Sequence, residues 1–152
     1  MRIAVLGVLL AGLSGEAAAA GELRAVVGLT SYGYTVQVSV NGKQIPLFKG
    51  GSSEVVQVFA ADHPQKERTV ARFHSVYCLK PGRNSIKVEY KEVDASLAVL
   101  PMTLYMNSRE YSSSVFEFTL QKATSGSFET QFELYDTMPA AHTTQRIVRS
   151  PQ

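Results

Sequence analysis

Apolar and polar side chains alternate along much of this chain, and this alternation limits the fold more than any other feature. In residues 34–40 every second side chain is apolar, and residues 86–90 repeat the pattern. A period of two places all the apolar side chains on one face of an extended strand, as in a half-buried β-sheet. Outside residues 1–20 no window has a helical period, so we predict an all-β protein.

Two turn signals separate the alternating segments. Asn41 and Gly42 tolerate positive φ at both central positions of a tight hairpin turn, so residues 44–48 are expected to return as the partner strand. Residues 80–84 read Lys-Pro-Gly-Arg-Asn, in which proline presets φ and glycine permits chain reversal. Antiparallel hairpins are the expected connections.

The extended segments predict an antiparallel β-sandwich, jelly-roll or immunoglobulin-like, with about eight or nine strands. An up-and-down barrel is the alternative. Within residues 97–107, Pro101 lacks the N–H donor of a sheet ladder, so this strand is expected at an edge or with a bulge. The residues expected on one face of that strand are Ala98, Leu100, Met102, Leu104 and Met106.

The N-terminus has the pattern of a secretory signal peptide. Arg2 precedes an apolar run over residues 3–13, and Ala18 and Ala20 form the small-x-small site that signal peptidase reads. The run is well short of the roughly 20 apolar residues that span a bilayer. We predict a signal peptide at residues 1–20, a sandwich domain at 21–136 and a flexible tail at 137–152. The mature protein is expected to be secreted or periplasmic, with no membrane span.

Charge and length exclude several classes. The chain has 15 basic and 13 acidic residues, a net charge of +2, and the two signs are interleaved. Nucleic-acid binding needs a concentrated positive field, which is not expected here. About 130 residues can bury enough surface to fold without a disulfide or a metal. We predict no cofactor.

Cys78 is the only cysteine, which excludes an internal disulfide and leaves an intermolecular one open. His74 precedes it by four residues on the same predicted strand. At about 3.4 Å per residue the two side chains are some 13 Å apart, too far for a thiolate–imidazole pair. We expect Cys78 to be buried as a small apolar group.

Other catalytic and metal patterns are incomplete. Glu129 and Glu133 are about 13 Å apart along a strand, whereas glycosidase carboxylates are about 5 to 9.5 Å apart, so a solvated acidic face is expected. There is no Gly-x-Ser-x-Gly elbow, and we predict no enzymatic activity. Copper could accept ligands from Met102, Met106, Met138 and His142. We expect the first two of these in the core and assign no metal ligand.

Residues 40–43 and 79–88 resemble the turns and strands of galactose-binding-like jelly rolls. This resemblance implies a carbohydrate-binding or accessory module. The chain has no tryptophan, so a sugar would stack on tyrosines such as Tyr32, Tyr105 or Tyr111.

A rigid sandwich without its own chemistry favours binding through loops and strand edges. We predict a non-catalytic module that recognises a protein partner in the cell envelope, with edge-strand pairing near Pro101 as one mode. A carbohydrate-binding accessory module and a periplasmic copper-binding protein are the alternatives. The predicted contact residues are Asp62, His63, Lys80, Arg83, Arg109 and Tyr111.

Overall fold

The computed structural model describes residues 23–47, 52–63, 75–108, 113–121, 125–135 and 143–150. Within these ranges the chain forms ten β-strands and no helix. The strands are β1 (Arg24–Ser31), β2 (Tyr34–Val40), β3 (Lys43–Ile45), β4 (Ser52–Ala60), β5 (Ser75–Leu79), β6 (Gly82–Glu92), β7 (Met102–Ser108), β8 (Ser113–Leu120), β9 (Ser125–Leu134) and β10 (Gln145–Arg149). The predicted signal peptide, residues 1–20, lies outside the described residues.

The strands form two sheets that pack face to face. Sheet A has six strands in the order β10-β8-β7-β1-β4-β5, and sheet B has four in the order β3-β2-β6-β9. The predicted all-β sandwich is confirmed, and the barrel alternative is wrong because the described strands form two sheets with separate edges. Six of the eight pairings are antiparallel, while β4–β5 and β8–β10 are parallel.

The core lies between the sheets, where the alternation predicts it. The apolar side chains of β2 and those at Ile86 and Val88 in β6 are buried. Sheet A contributes Phe116 and Phe118, which pack near Phe128 of sheet B with ring centroids 6.4 and 4.5 Å from its ring. Burial of apolar surface, at about 25 cal/mol per Å², drives the two sheets together.

The predicted hairpin at Asn41 and Gly42 is also confirmed. The two residues have φ values of 50° and 77°, and they connect β2 to β3. Positive φ at both central positions gives a turn whose twist matches that of the flanking strands.

Of the two expectations for the strand at Pro101, an edge position or a bulge, the edge position is wrong. Pro101 lies just before β7, and β7 is a central strand between β8 and β1. Proline therefore removes no donor from the ladder. The bulge in the β7–β8 pairing is at Met106/Asn107, and Leu100 is exposed because it belongs to the preceding loop.

Two strands were not predicted. β1 has no strict alternation, and β10 lies in the segment that we expected to be a flexible tail. That expectation is wrong for residues 145–149, because β10 pairs in parallel with β8 and Ile147 packs against the core. An ion pair of 2.9 Å between Arg146 Nε and Glu117 Oε2 adds a side-chain contact to this pairing.

Candidate functional site

The predicted contact residues in two separate loops come together at one end of the sandwich. Because β4 and β5 are parallel, both strands leave the sheet at the same end. Ala61 N donates a hydrogen bond of 2.9 Å to Leu79 O, which places Asp62 beside the segment that begins at Lys80. Both of these side chains are exposed. We call residues 41–42, 61–63 and 80–84 the polar end.

His63 belongs to the polar end and packs against neighbouring aromatic rings. Its side chain is buried, and its ring lies 4.9 Å from the Phe59 ring and 5.6 Å from the Tyr77 ring. Phe59 and Tyr77 stack on each other at 5.4 Å. His63 therefore packs with two neighbouring rings, and its role as a contact residue stays a prediction.

A partly buried amide pair connects the two sheets at the polar end. Asn41 Nδ2 donates to Cys78 O at 2.7 Å and to Asn84 Oδ1 at 2.8 Å. Asn84 also accepts from Lys80 N at 2.9 Å and donates to Lys80 O at 2.8 Å. The polar groups at the centre of this end therefore bond to each other, and they hold the β2–β3 and β5–β6 turns together.

The remaining predicted contacts are at the surface or undescribed. Arg83 Nε lies 3.7 Å from Glu133 Oε1, and Tyr135 Oη donates to Glu133 Oε2 at 2.6 Å. Exposed pairs of this kind add little stability. Arg109 and Tyr111 lie outside the described residues.

Cys78 and Glu129, two of the residues considered as catalytic candidates, lie in the described part of the chain. Cys78 is buried as expected, and this burial raises the pKa of its thiol from 9.0 to about 11, while nearby Lys43 opposes that shift. A thiol with a raised pKa is neutral at ordinary pH and is a poor nucleophile. Glu129 is exposed on the outer face of β9, as a solvated acidic face requires.

The proposed copper ligands Met102 and Met106 are fully buried and point into the core. Met138, His142 and His74 lie outside the described residues. Within the part of the chain that the structure describes, no three His, Cys, Asp or Glu side chains group as a metal site would need.

The opposite end of the sandwich has a loop with exposed aliphatic side chains, which the sequence did not predict. β6 runs from the polar end to Glu92, and residues 93–100 then form a loop before β7. We call these residues the aliphatic loop. Four of its side chains are largely exposed: Val93 (63%), Leu97 (45%), Val99 (58%) and Leu100 (43%).

Hydrogen bonds to the β1–β2 connection hold the aliphatic loop in place. Gly33 O accepts from Val93 N at 2.8 Å and from Asp94 N at 3.2 Å. Tyr34 Oη, which is buried, donates to Ala98 O at 3.0 Å. Gly33 has a φ of 73°, and a Cβ atom there would collide with the backbone of Asp94 and Ala98. Only glycine fits this close approach.

Asp94 orders the loop internally. Its Oδ1 accepts from Ser96 Oγ at 2.6 Å and from Ser96 N at 2.9 Å, and these bonds lower the pKa of its carboxyl group. Asp94 O accepts from Ala98 N at 2.9 Å. An aspartate that bonds to the backbone two residues later is a turn signal, and Asp94-Ala95-Ser96 could have revealed this loop in the sequence.

Comparisons of the chain with known protein families, with curated proteins and with solved structures found no match. The resemblance to galactose-binding-like jelly rolls therefore stays a prediction. Among the described residues, no helix has the length and apolar character that crossing a membrane requires.

Proposed function

We propose that this protein is an exported, non-catalytic β-sandwich module that recognises a protein partner in the cell envelope, with the aliphatic loop as its contact surface. Export to the periplasm or the exterior rests on the signal-peptide pattern of residues 1–20. The proposal requires no cofactor and no metal.

The single observation that carries the proposal is the exposure of four aliphatic side chains on one anchored loop. Contiguous apolar patches on a monomer's surface are often binding sites for other proteins. Because the bonds from Gly33 and Tyr34 already fix the loop, a partner would not have to order it, and the entropy lost on binding would be smaller.

The carbohydrate alternative has less support. Tyr105 faces Gly28 across the β1–β7 pairing, and its ring occupies the space that a Gly28 side chain would fill. Aromatic residues commonly fill such gaps opposite glycine in sheets, so packing accounts for this tyrosine. Tyr111 lies outside the described residues. The copper-binding alternative also has less support, because the Met102 and Met106 side chains are buried in the core.

Site-specific photocrosslinking in the producing cell tests the proposal. We would place a photoreactive phenylalanine analogue at Val99 and, in a matched control, at Val55, which is exposed to 58% on β4 and pairs with Gly28, five residues before Gly33. The expected result is one adduct of defined mass at Val99 that is absent at Val55.

A double substitution completes the test. Leu97→Ser with Leu100→Ser should abolish the Val99 adduct, and Val55→Ser should leave it unchanged. Adducts of equal yield at both positions, or an adduct that survives the double substitution, would contradict the proposal.

A further inference from the structure

We infer that the free edge of β9 is a strand-addition site for an extended, basic peptide segment. This site is separate from the aliphatic loop and does not depend on it. Edge-strand pairing was expected near Pro101, but Pro101 precedes β7, which is a central strand. An outer strand of sheet B, β9, is an edge at which such pairing is possible.

β9 is the longest of the four edge strands. It has ten residues, whereas β3 has three and β5 and β10 have five each. Its pairing with β6 continues without a register shift from Ser125 to Leu134. Natural edge strands are usually protected by shortness, proline, a bulge or charged side chains. β9 is long and has no proline and no bulge, and the exposed charges of Glu129 and Glu133 limit which strand could add to it.

Alternation along the sheet identifies the free backbone groups. Asn41 N donates to Ser85 O, so Ser85 directs its backbone groups toward β2, and its neighbour Ile86 directs them toward β9. Ile86 pairs with Thr130. The backbone groups of Thr130 thus point inward, and those of alternate residues point away from the sheet. The residues whose backbone groups point away from β6 are Ser125, Ser127, Glu129, Gln131 and Glu133.

No described residue forms a backbone hydrogen bond to this outer edge. Two contacts from the β10 side reach β9 on its inner face. Gln145 Nε2 bonds to Thr130 Oγ1 at 3.0 Å, and the Arg149 guanidinium lies 5.4 Å from the centre of the Phe128 ring. They close the gap between the sheets and leave the row of outward N–H and C=O groups open.

Charge indicates the chemistry of the partner. Glu129 and Glu133 are exposed on the outer face of β9, with Gln131 between them. Lys87 and Arg83 lie opposite them on β6, on the side away from the free edge. The outermost charges along this edge are therefore acidic, and an added strand would best match them with basic side chains four positions apart.

A synthetic peptide provides the direct test. It would alternate valine with polar residues, have lysines four positions apart, and be compared with a peptide in which glutamates replace the lysines. We expect the lysine peptide to slow amide hydrogen exchange at Ser127, Glu129, Gln131 and Glu133 at least about tenfold. The amides of Phe128 and Thr130 should be unaffected.

Two variants separate strand addition from charge attraction alone. Gln131→Pro removes an outward N–H that the β6–β9 ladder does not use, so affinity for the lysine peptide should fall at least about tenfold. Gln131→Ala keeps that N–H and should change affinity less than about twofold. Glu129→Lys with Glu133→Lys should reverse the preference in favour of the glutamate peptide.

The inference is overturned by equal affinity for the two peptides, or by exchange protection at an edge other than β9. Should Gln131→Pro not fold, the charge-reversal variant decides the question, because both substituted side chains are exposed. Loss of the Val99 crosslink would leave the peptide result unchanged, so the two proposals can fail separately.

Discussion

The two ends of the sandwich differ in how their side chains are used. At the polar end, Asn41 and Asn84 bond to each other and to the backbone, so conspicuous polar residues serve the fold. At the other end the backbone of the aliphatic loop is equally well bonded, yet its apolar side chains face solvent. The polar residues at one end thus stabilise turns, whereas the exposed aliphatic residues at the other end are the basis of the proposed contact surface.

The largest effect is expected from Gly33→Ala. The new Cβ atom would collide with the backbone of Asp94 and Ala98 at a φ of 73°, so the loop must move. We expect unfolding in urea to show a loss of about 3 kcal/mol. Gly42→Ala is the matched control, because Gly42 has a φ of 77° with open space around it, and it should cost about 1 kcal/mol. Equal losses would mean that Gly33 does not anchor the loop.

A smaller effect is expected at the polar end from Asn84→Ala. The substitution leaves Lys80 N and Lys80 O without their side-chain partner and removes the bond to Asn41. The expected loss in the free energy of unfolding is about 2 kcal/mol. Gln44→Ala, at an exposed site on β3, should be neutral within about 0.5 kcal/mol. If Asn84→Ala is equally neutral, the amide pair does not hold the two turns together.

The smallest effect concerns acid titration of the aliphatic loop. Hydrogen bonds from Ser96 lower the pKa of Asp94 below 3.8, so the bonds favour the charged carboxylate. The stability that these bonds give to the folded state is fully present above pH 3.8, and it is lost as the pH falls through the lowered pKa of Asp94. The Ser96 amide resonance should shift with that midpoint in an NMR titration, and Ser96→Ala should raise the midpoint. A midpoint that is unchanged in the variant would exclude this bond as the cause.

The fold could be predicted from the sequence where its determinants are local. The alternation in residues 34–40 gives the inward face of β2, and Asn41-Gly42 gives the hairpin. β10 could not be predicted in this way, because its five residues are held by β8, which lies far away in the sequence.

The candidate sites depend even more on distant residues. Leu97, Val99 and Leu100 resemble part of an alternating strand in the sequence, and only the bonds to Gly33 and Tyr34 show that they form a loop. The proximity of Asp62 to Lys80 follows from the parallel pairing of β4 with β5. Sequence periodicity carries no information about either arrangement.

The position of β1 has a consequence for how the chain acquires its structure. This first strand is central in sheet A, and its neighbours β4 and β7 begin only at Ser52 and Met102. Such distant pairings form slowly, on the order of milliseconds to seconds. A newly made polypeptide therefore cannot complete sheet A until Met102–Ser108 has been synthesised.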